Sequence, residues 1–196
     1  MKRINGCKKV FLIVSMMLVM SFLTTESAAA AIKELDVPIY AQEKSKWCWA
    51  AAARMAGKYK YPNSTRNQGQ IVAYIKGNSG VNEEASIFET VKATEYVTNN
   101  TIELSTTLLF NWSWSDIKVS IDNNYPAIAL VNKDGSGHYY VIRGYDSVTK
   151  EIVVNDPWLG RRYVVSWEEF KNGGWNDETR PYKYTVYFES YTMPEV

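Results

Sequence analysis

Gln42-Glu-Lys-Ser-Lys-Trp47-Cys48-Trp49-Ala-Ala-Ala-Ala53-Arg-Met55-Ala-Gly-Lys-Tyr59 is the stretch whose reading decides the fold. From Cys48 onward it is rich in helix formers with apolar residues at helical spacing, which predicts a helix beginning at the cysteine. A thiolate at a helix N-terminus is stabilised by unpaired backbone N–H groups and by the positive end of the helix dipole. The same cysteine, flanked by two tryptophans and followed by alanines, also suits plain packing as a small apolar residue. Gln42, on the loop leading into the helix, shifts the balance toward chemistry. Amide hydrolysis passes through a tetrahedral oxyanion, and a neutral amide donor plus a backbone N–H can hold it.

Outward from this stretch the chain divides into two characters. Helical spacing continues to about Val97: Thr65 or Asn67 can start a helix through Ile71, Val72 and Ile75 that stops near Gly77. Asn82-Glu-Glu-Ala85 reads as an N-cap with an acidic first turn ahead of Ile87, Phe88, Val91 and Tyr96. Ser115-Asp116 opens one more short helix, closed off by Pro126. Beyond Pro126 the spacing becomes extended. Strands are expected at Ala127–Val131, Tyr139–Ile142, Ile152–Val154, Tyr163–Val165 and Tyr184–Phe188, with a turn over Gly144–Lys150 and a helical turn at Trp167–Phe170. A helical half (about 31–112) followed by an antiparallel half (about 113–196) is an α+β plan, with a substrate cleft expected between the halves.

Residues 1–30 read as a secretory signal peptide and are set apart from the fold. Lys2, Arg3, Lys8 and Lys9 precede an apolar run from Val10 to Leu23, and Ala28-Ala-Ala-Ala31 offers small-residue cleavage sites. The apolar run is shorter than the roughly 20 residues of a membrane span, so no stable membrane insertion is expected after leader removal. Export from a bacterial cell is the expected location, and the remaining 31–196 are enough for one domain with a real core. Losing those four cations and Glu26 takes the formal net charge from +1 to −2, which argues against a nucleic-acid partner. Cys7 leaves with the leader, so Cys48 is the one remaining thiol and no internal disulfide can form.

The single histidine is His138, which follows Asp134-Gly-Ser-Gly137 and opens a strand-like run. Glycines there permit a tight loop and close backbone approach at a cleft edge. Its chemical role would be general base and then acid toward Cys48 and a leaving amine. One histidine, one thiol and scattered carboxylates offer no metal site, and no cofactor is called for. Asn155-Asp156-Pro157 closes a later strand, where neighbouring residues face opposite ways, so one of the pair can meet the imidazole. Pro157 biases Asp156 toward extended backbone.

Gln42 six residues before a Cys-Trp-Ala-Ala helix start resembles the papain-like cysteine peptidases. The histidine opening one strand and the Asp-Pro pair ending the next resemble the bacterial branch, namely bacteriocin-leader peptidases and secreted effector proteases. The resemblance implies a papain-like fold and assigns Cys48 as nucleophile, His138 as acid and base, Gln42 to the oxyanion hole and Asp156 as the orienting carboxylate. Asn155 is the alternative, because papain itself uses asparagine. The likeness is specific only around Gln42–Ala53 and Gly137–Trp158, and the disulfides common in plant and animal relatives are missing.

The function expected is that of a secreted, monomeric cysteine endopeptidase acting on protein or peptide. The same triad also serves transglutaminases, glutamine deamidases and cell-wall amidases, and an inactive papain-like binding module is a further alternative. Trp47, Trp49, Trp112, Trp114, Trp158, Trp167 and Trp175 could line a glycan platform, but tryptophans in a domain this size are more often core.

Overall fold

The helix expected at Cys48 runs over Cys48–Lys60 (α1), and its residues Cys48–Ala53, Met55, Ala56 and Gly57 are buried. Four consecutive alanines let neighbouring elements close in on every side, as a helix at the centre of a core requires. The computed structural model describes residues 32–102, 104–106, 112–133, 136–173 and 182–188. The leader expected over 1–30, with Cys7, lies outside them, as do Asp134, Gly135 and Trp175.

Three further helices start at capping boxes. In α2 (Gln68–Lys76) Asn67 and Gln70 exchange side-chain and backbone bonds, and Gly77 ends the helix at φ +77°. Ser86 and Glu89 do the same for α3 (Ile87–Val97), and Ser113 and Asp116 for α4 (Trp114–Asp122). The sequence placed the α3 start at Asn82, four residues early. Residues 81–85 form neither helix nor strand, and alternate carbonyls among them are taken by side chains from elsewhere in the chain. A fifth helix among the described residues, α5, spans Trp167–Asn172.

Among the described residues the strands form one antiparallel sheet: β1 (Ile32–Glu34), β2 (Leu104–Thr106), β3 (Ala127–Lys133), β4 (Ser136–Asp146), β5 (Glu151–Asp156), β6 (Arg161–Ser166) and β7 (Tyr182–Phe188). Their order is β2-β7-β3-β4-β5-β6, with β1 added alongside β4. The α+β, papain-like plan read from the sequence is therefore the observed one, but the halves are interleaved. β1 and β2 come from the helical stretch and complete the sheet of the other half.

β4 also runs past the expected turn at Gly144, through Asp146. The reason is local. Register slips between Ile142 and Gly144, and β1 then takes over the edge of β4 that β3 vacates. A Cβ at Gly144 would lie 2.7 Å from the Lys33 carbonyl oxygen, so only glycine admits that approach. Glu34 fastens β1 through two bonds to Arg162, at 2.7 and 2.6 Å, and an ion pair with Arg143 at 3.3 Å. α1 packs against α3 and β4, and that packing brings Cys48 to the start of β4.

Candidate active site

Cys48 is the first residue of α1, and it is a buried free thiol, 6 % exposed. Its N-cap is Trp47, which offers no side-chain cap. The first-turn N–H groups of α1 therefore lack the oxygen acceptor that capping boxes supply in α2, α3 and α4. Trp47 instead donates its indole N–H to the Val81 carbonyl at 2.9 Å, and Trp49 donates to Glu83 at 3.0 Å. The Tyr139 hydroxyl completes the series by donating to Ala85 at 3.1 Å. Three aromatic side chains thus take alternate carbonyls of residues 81–85, which explains why this segment is a wall and not the first turn of α3.

The imidazole arrives from β4. Val141 pairs with Asn155, so on the next step along the ladder Asp156 lies on the face shared by Tyr140 and His138. His138 Nε2 and Asp156 Oδ1 are 2.7 Å apart, with the residues 8 % and 3 % exposed. That leaves Nδ1 as the ring nitrogen available to Cys48, whose sulfur is among the groups that favour a charged ring. Burial opposes a charged ring here. The hydrogen bonds and charges of Asp156 and Cys48 outweigh it, and the His138 pKa is pushed up from 6.5 to about 9. A protonated ring has a donor on each nitrogen and can serve both partners at once. The ring of Tyr140 meets the imidazole edge to face at 4.6 Å and limits its rotation.

Asp156 is held in turn: its Oδ1 accepts the Trp158 N–H at 2.8 Å. Asn155, the alternative orienting residue, lies on the other face of β5. Its amide points to the Val37 and Pro38 carbonyls, and its oxygen accepts from Arg143. Of the adjacent pair, the structure brings Asp156 and not Asn155 to the imidazole.

Gln42 sits at the same corner but is occupied. Its backbone N–H donates to the Pro157 carbonyl at 2.7 Å, one residue beyond Asp156. Its side-chain nitrogen donates to the Lys44 and Ser45 carbonyls at 2.9 and 2.8 Å, and its Oε1 is buried with no hydrogen-bond partner among the described residues. The side-chain amide is therefore fixed by its own loop. The backbone N–H of Cys48, first in the helix, has no intrahelical acceptor and is a second donor close to the sulfur.

A cleft of about 280 Å³ opens on the thiol. Cys48 and Trp49 form its floor, Glu84, Ala85 and Ser86 one wall, and Leu130, Asn132, Gly137 and Tyr139 the other. A Cβ on Gly137 would come within 2.8 Å of Leu130 Cδ1, so any side chain before the histidine would push the end of Leu130 aside. Burial also pushes the Tyr139 phenol up, which keeps it a neutral donor to Ala85. Sequence reasoning missed the wall made by residues 84–86 and the aromatic bonds behind it. The alternating Trp47 and Trp49 were visible, but their partners lie 34 residues away. Among the described residues no group of His, Cys, Asp or Glu could hold a metal ion, and no helix is long and apolar enough to cross a membrane.

The model of the family described as Peptidase_C39 like family matches residues 34–182. Three solved structures share the fold at low identity. A double glycine motif protease from an AMS/PCAT transporter, solved with its leader peptide, is 19 % identical with a TM-score of 0.54 over 80 % of this chain and 94 % of that one. The peptidase domain of Streptococcus ComA is 16 % identical with a TM-score of 0.54, over 78 % and 97 %. Xylellain, a cysteine protease from Xylella fastidiosa, is 12 % identical with a TM-score of 0.58, over 82 % and 87 %. Among curated proteins nothing matches.

Proposed function

Because the chain belongs to the Peptidase_C39 like family and is a papain-like cysteine peptidase, we propose that it cleaves peptide bonds with Cys48, His138 and Asp156 as its triad. The observation that carries this reading is the 2.7 Å contact of His138 Nε2 with Asp156 Oδ1, on a ring whose positive charge the Cys48 sulfur also favours. In the resting site the imidazolium is flanked by the Asp156 carboxylate and the Cys48 sulfur.

The thiolate attacks the scissile carbonyl carbon, and the carbonyl electron pair moves onto oxygen. That oxyanion is held by the Cys48 backbone N–H and by the Gln42 amide, which shares an N–H now directed to its own loop. Imidazolium passes its proton from Nδ1 to the leaving amine, the C–N bond breaks, and a thioester remains. Water then attacks the thioester carbon and gives a proton to the imidazole. The C–S bond breaks, the acid product leaves and the ion pair is restored. Asp156 holds the ring through Nε2 throughout, as the third member of such constellations does.

The substrate is a peptide lying in the cleft between the 84–86 wall and β3–β4. A similar peptidase solved with a leader peptide supports a peptide ligand here. With residues 1–30 as a signal peptide, the enzyme acts outside the cell as a monomer. The test uses a peptide library and iodoacetamide. Cleavage that is lost in both Cys48→Ala and His138→Ala, with Cys48 alkylated at mildly acidic pH, is the expected result. An inert thiol refutes the mechanism. Ammonia release from glutamine without any cleavage points instead to a deamidase.

A further inference from the structure

Gln68 is the first residue of α2, and it is 1 % exposed. Its Nε2 donates to the Ala41 carbonyl at 2.7 Å, and its Oε1 accepts the Glu43 N–H at 3.0 Å. These are the two residues on either side of Gln42. A side-chain amide is the group that supplies a donor and an acceptor together at this reach, so it can bridge both backbone groups of the loop. From the opposite side the turn after Asp156 closes on the same loop. The Pro157 carbonyl accepts the Gln42 N–H at 2.7 Å, and Gly160, at φ +61°, approaches so closely that a Cβ there would lie 2.9 Å from the Ala41 nitrogen. The loop is pinned between α2 and that turn, and the Gln42 amide is fixed to the loop by Lys44 and Ser45.

We propose that Gln68 is a positioning residue: it clamps the backbone at Ala41 and Glu43 and thereby sets where the Gln42 amide meets the oxyanion. The proposal rests on the oxyanion role given to Gln42 above. Gln68 hydrogen-bonds Ala41 and Glu43, not the thiol or the imidazole. Its loss therefore acts on the oxyanion and leaves the Cys48–His138 pair alone. Removing an oxyanion donor outright costs about 10²- to 10³-fold in kcat. Letting one drift costs part of that, roughly tenfold or more, with KM nearly unchanged because the ground-state carbonyl makes little use of it.

The experiment compares Gln68→Met, Gln68→Glu, Gln42→Ala and the double variant Gln42→Ala/Gln68→Met. The readouts are kcat, KM, the rate of Cys48 alkylation by iodoacetamide, and inhibition by a peptide aldehyde, whose adduct carries the oxyanion. Gln68→Glu keeps the shape and the acceptor but turns an oxygen toward the Ala41 carbonyl. Each Gln68 variant is expected to lose kcat and aldehyde affinity at least tenfold, with alkylation unchanged. In the Gln42→Ala background Gln68→Met should cost less than threefold more. Gly160→Ala, which presses on Ala41 from the other side, should show the same pattern and serves if the Gln68 variants fail to fold. Full additivity of Gln42→Ala and Gln68→Met, or a fall in alkylation matching the fall in kcat, overturns the clamp. Unchanged kcat in Gln42→Ala overturns the oxyanion role itself. A large loss in Gln42→Ala with none in the Gln68 and Gly160 variants overturns only the clamp.

Discussion

Replacing Asp156 with asparagine removes one charge and keeps an acceptor in nearly the same place, so it isolates what the carboxylate does to His138. The raised value, about 9 against 6.5, corresponds to about 3 kcal/mol in favour of the protonated ring. Burial opposes that charge; the Asp156 hydrogen bond and the Cys48 sulfur are the groups that support it. With the carboxylate gone, the sulfur alone faces the burial penalty. The ring should then lose its proton at least about one pH unit earlier, a change of at least about 1.4 kcal/mol. In the proposed mechanism imidazolium is the acid that protonates the leaving amine, so kcat/KM should fall as pH rises through about 9 in the native protein. In Asp156→Asn that alkaline limb should lie at least about one unit lower, and kcat should also fall at neutral pH. The limb reports the Cys48–His138 pair as a whole. The stability consequence has a definite sign. A folded value above the unfolded one stabilises the protein fully below 6.5, and that contribution is lost as pH rises through about 9. The urea-unfolding deficit of Asp156→Asn should therefore shrink as pH is raised. Coincident alkaline limbs for the two proteins would refute the assignment of Asp156 as the group that holds His138 charged.

Gly57 in α1 lies under Val97 of α3, where an added Cβ would meet Val97 Cγ1 at 2.6 Å. Helix propensity favours alanine by about 1 kcal/mol, but overpacking costs about 1–3 kcal/mol, so Gly57→Ala should lower Tm; a higher Tm would contradict the packing of α1 on α3. The bonds from Arg162, together with Arg143, hold the Glu34 carboxyl below its usual range despite some burial. Its contribution is present above pH 4.5 and lost as pH falls through the depressed folded value, so Glu34→Gln should cost about 1 kcal/mol in neutral urea melts and almost nothing in strong acid. Trp49→Phe removes the indole donor to Glu83 and frees one point of the cleft wall. KM for peptides should rise severalfold while Cys48 alkylation keeps its rate, and an unchanged KM would mean the wall does not bind substrate.

The parts of this molecule that were legible in the sequence are those fixed by local chemistry. The start of α1 at Cys48, a helix beginning at Thr65 or Asn67 and ending near Gly77, and the strand pair carrying His138 and Asp156 all follow from spacing and short-range propensity. Asp156 over Asn155 was legible only as an alternation. The ladder that pairs Val141 with Asn155 decides which of the two meets the ring, and register is a property of two strands together. Asn82-Glu-Glu-Ala85 misled because its composition suits a helix start, while three distant aromatic donors take alternate carbonyls of residues 81–85 and keep it out of the helix. β1 and β2, three residues each, carry too little pattern of their own and exist through pairing with β4 and β7. Gln68 gave no signal at all: a glutamine opening a helix is ordinary until its amide is seen to bridge Ala41 and Glu43.

The absence of a cap on α1 makes physical sense only beside the caps on α2, α3 and α4. A serine or aspartate at position 47 would satisfy first-turn N–H groups and add about 1 kcal/mol of stability. It would also place a competing acceptor where the proposed mechanism puts a thiolate and an oxyanion, and an aspartate would set a negative charge beside Cys48. Trp47 instead contributes through burial and its bond to Val81, so the N-terminus of α1 is fixed in space without being electrostatically quenched. Trp49 and Tyr139, the chain neighbours of Cys48 and His138, bind the same wall. The helix gives up a cap at the one end where open N–H groups can act on a substrate, and aromatic packing from the flanking residues offsets the loss.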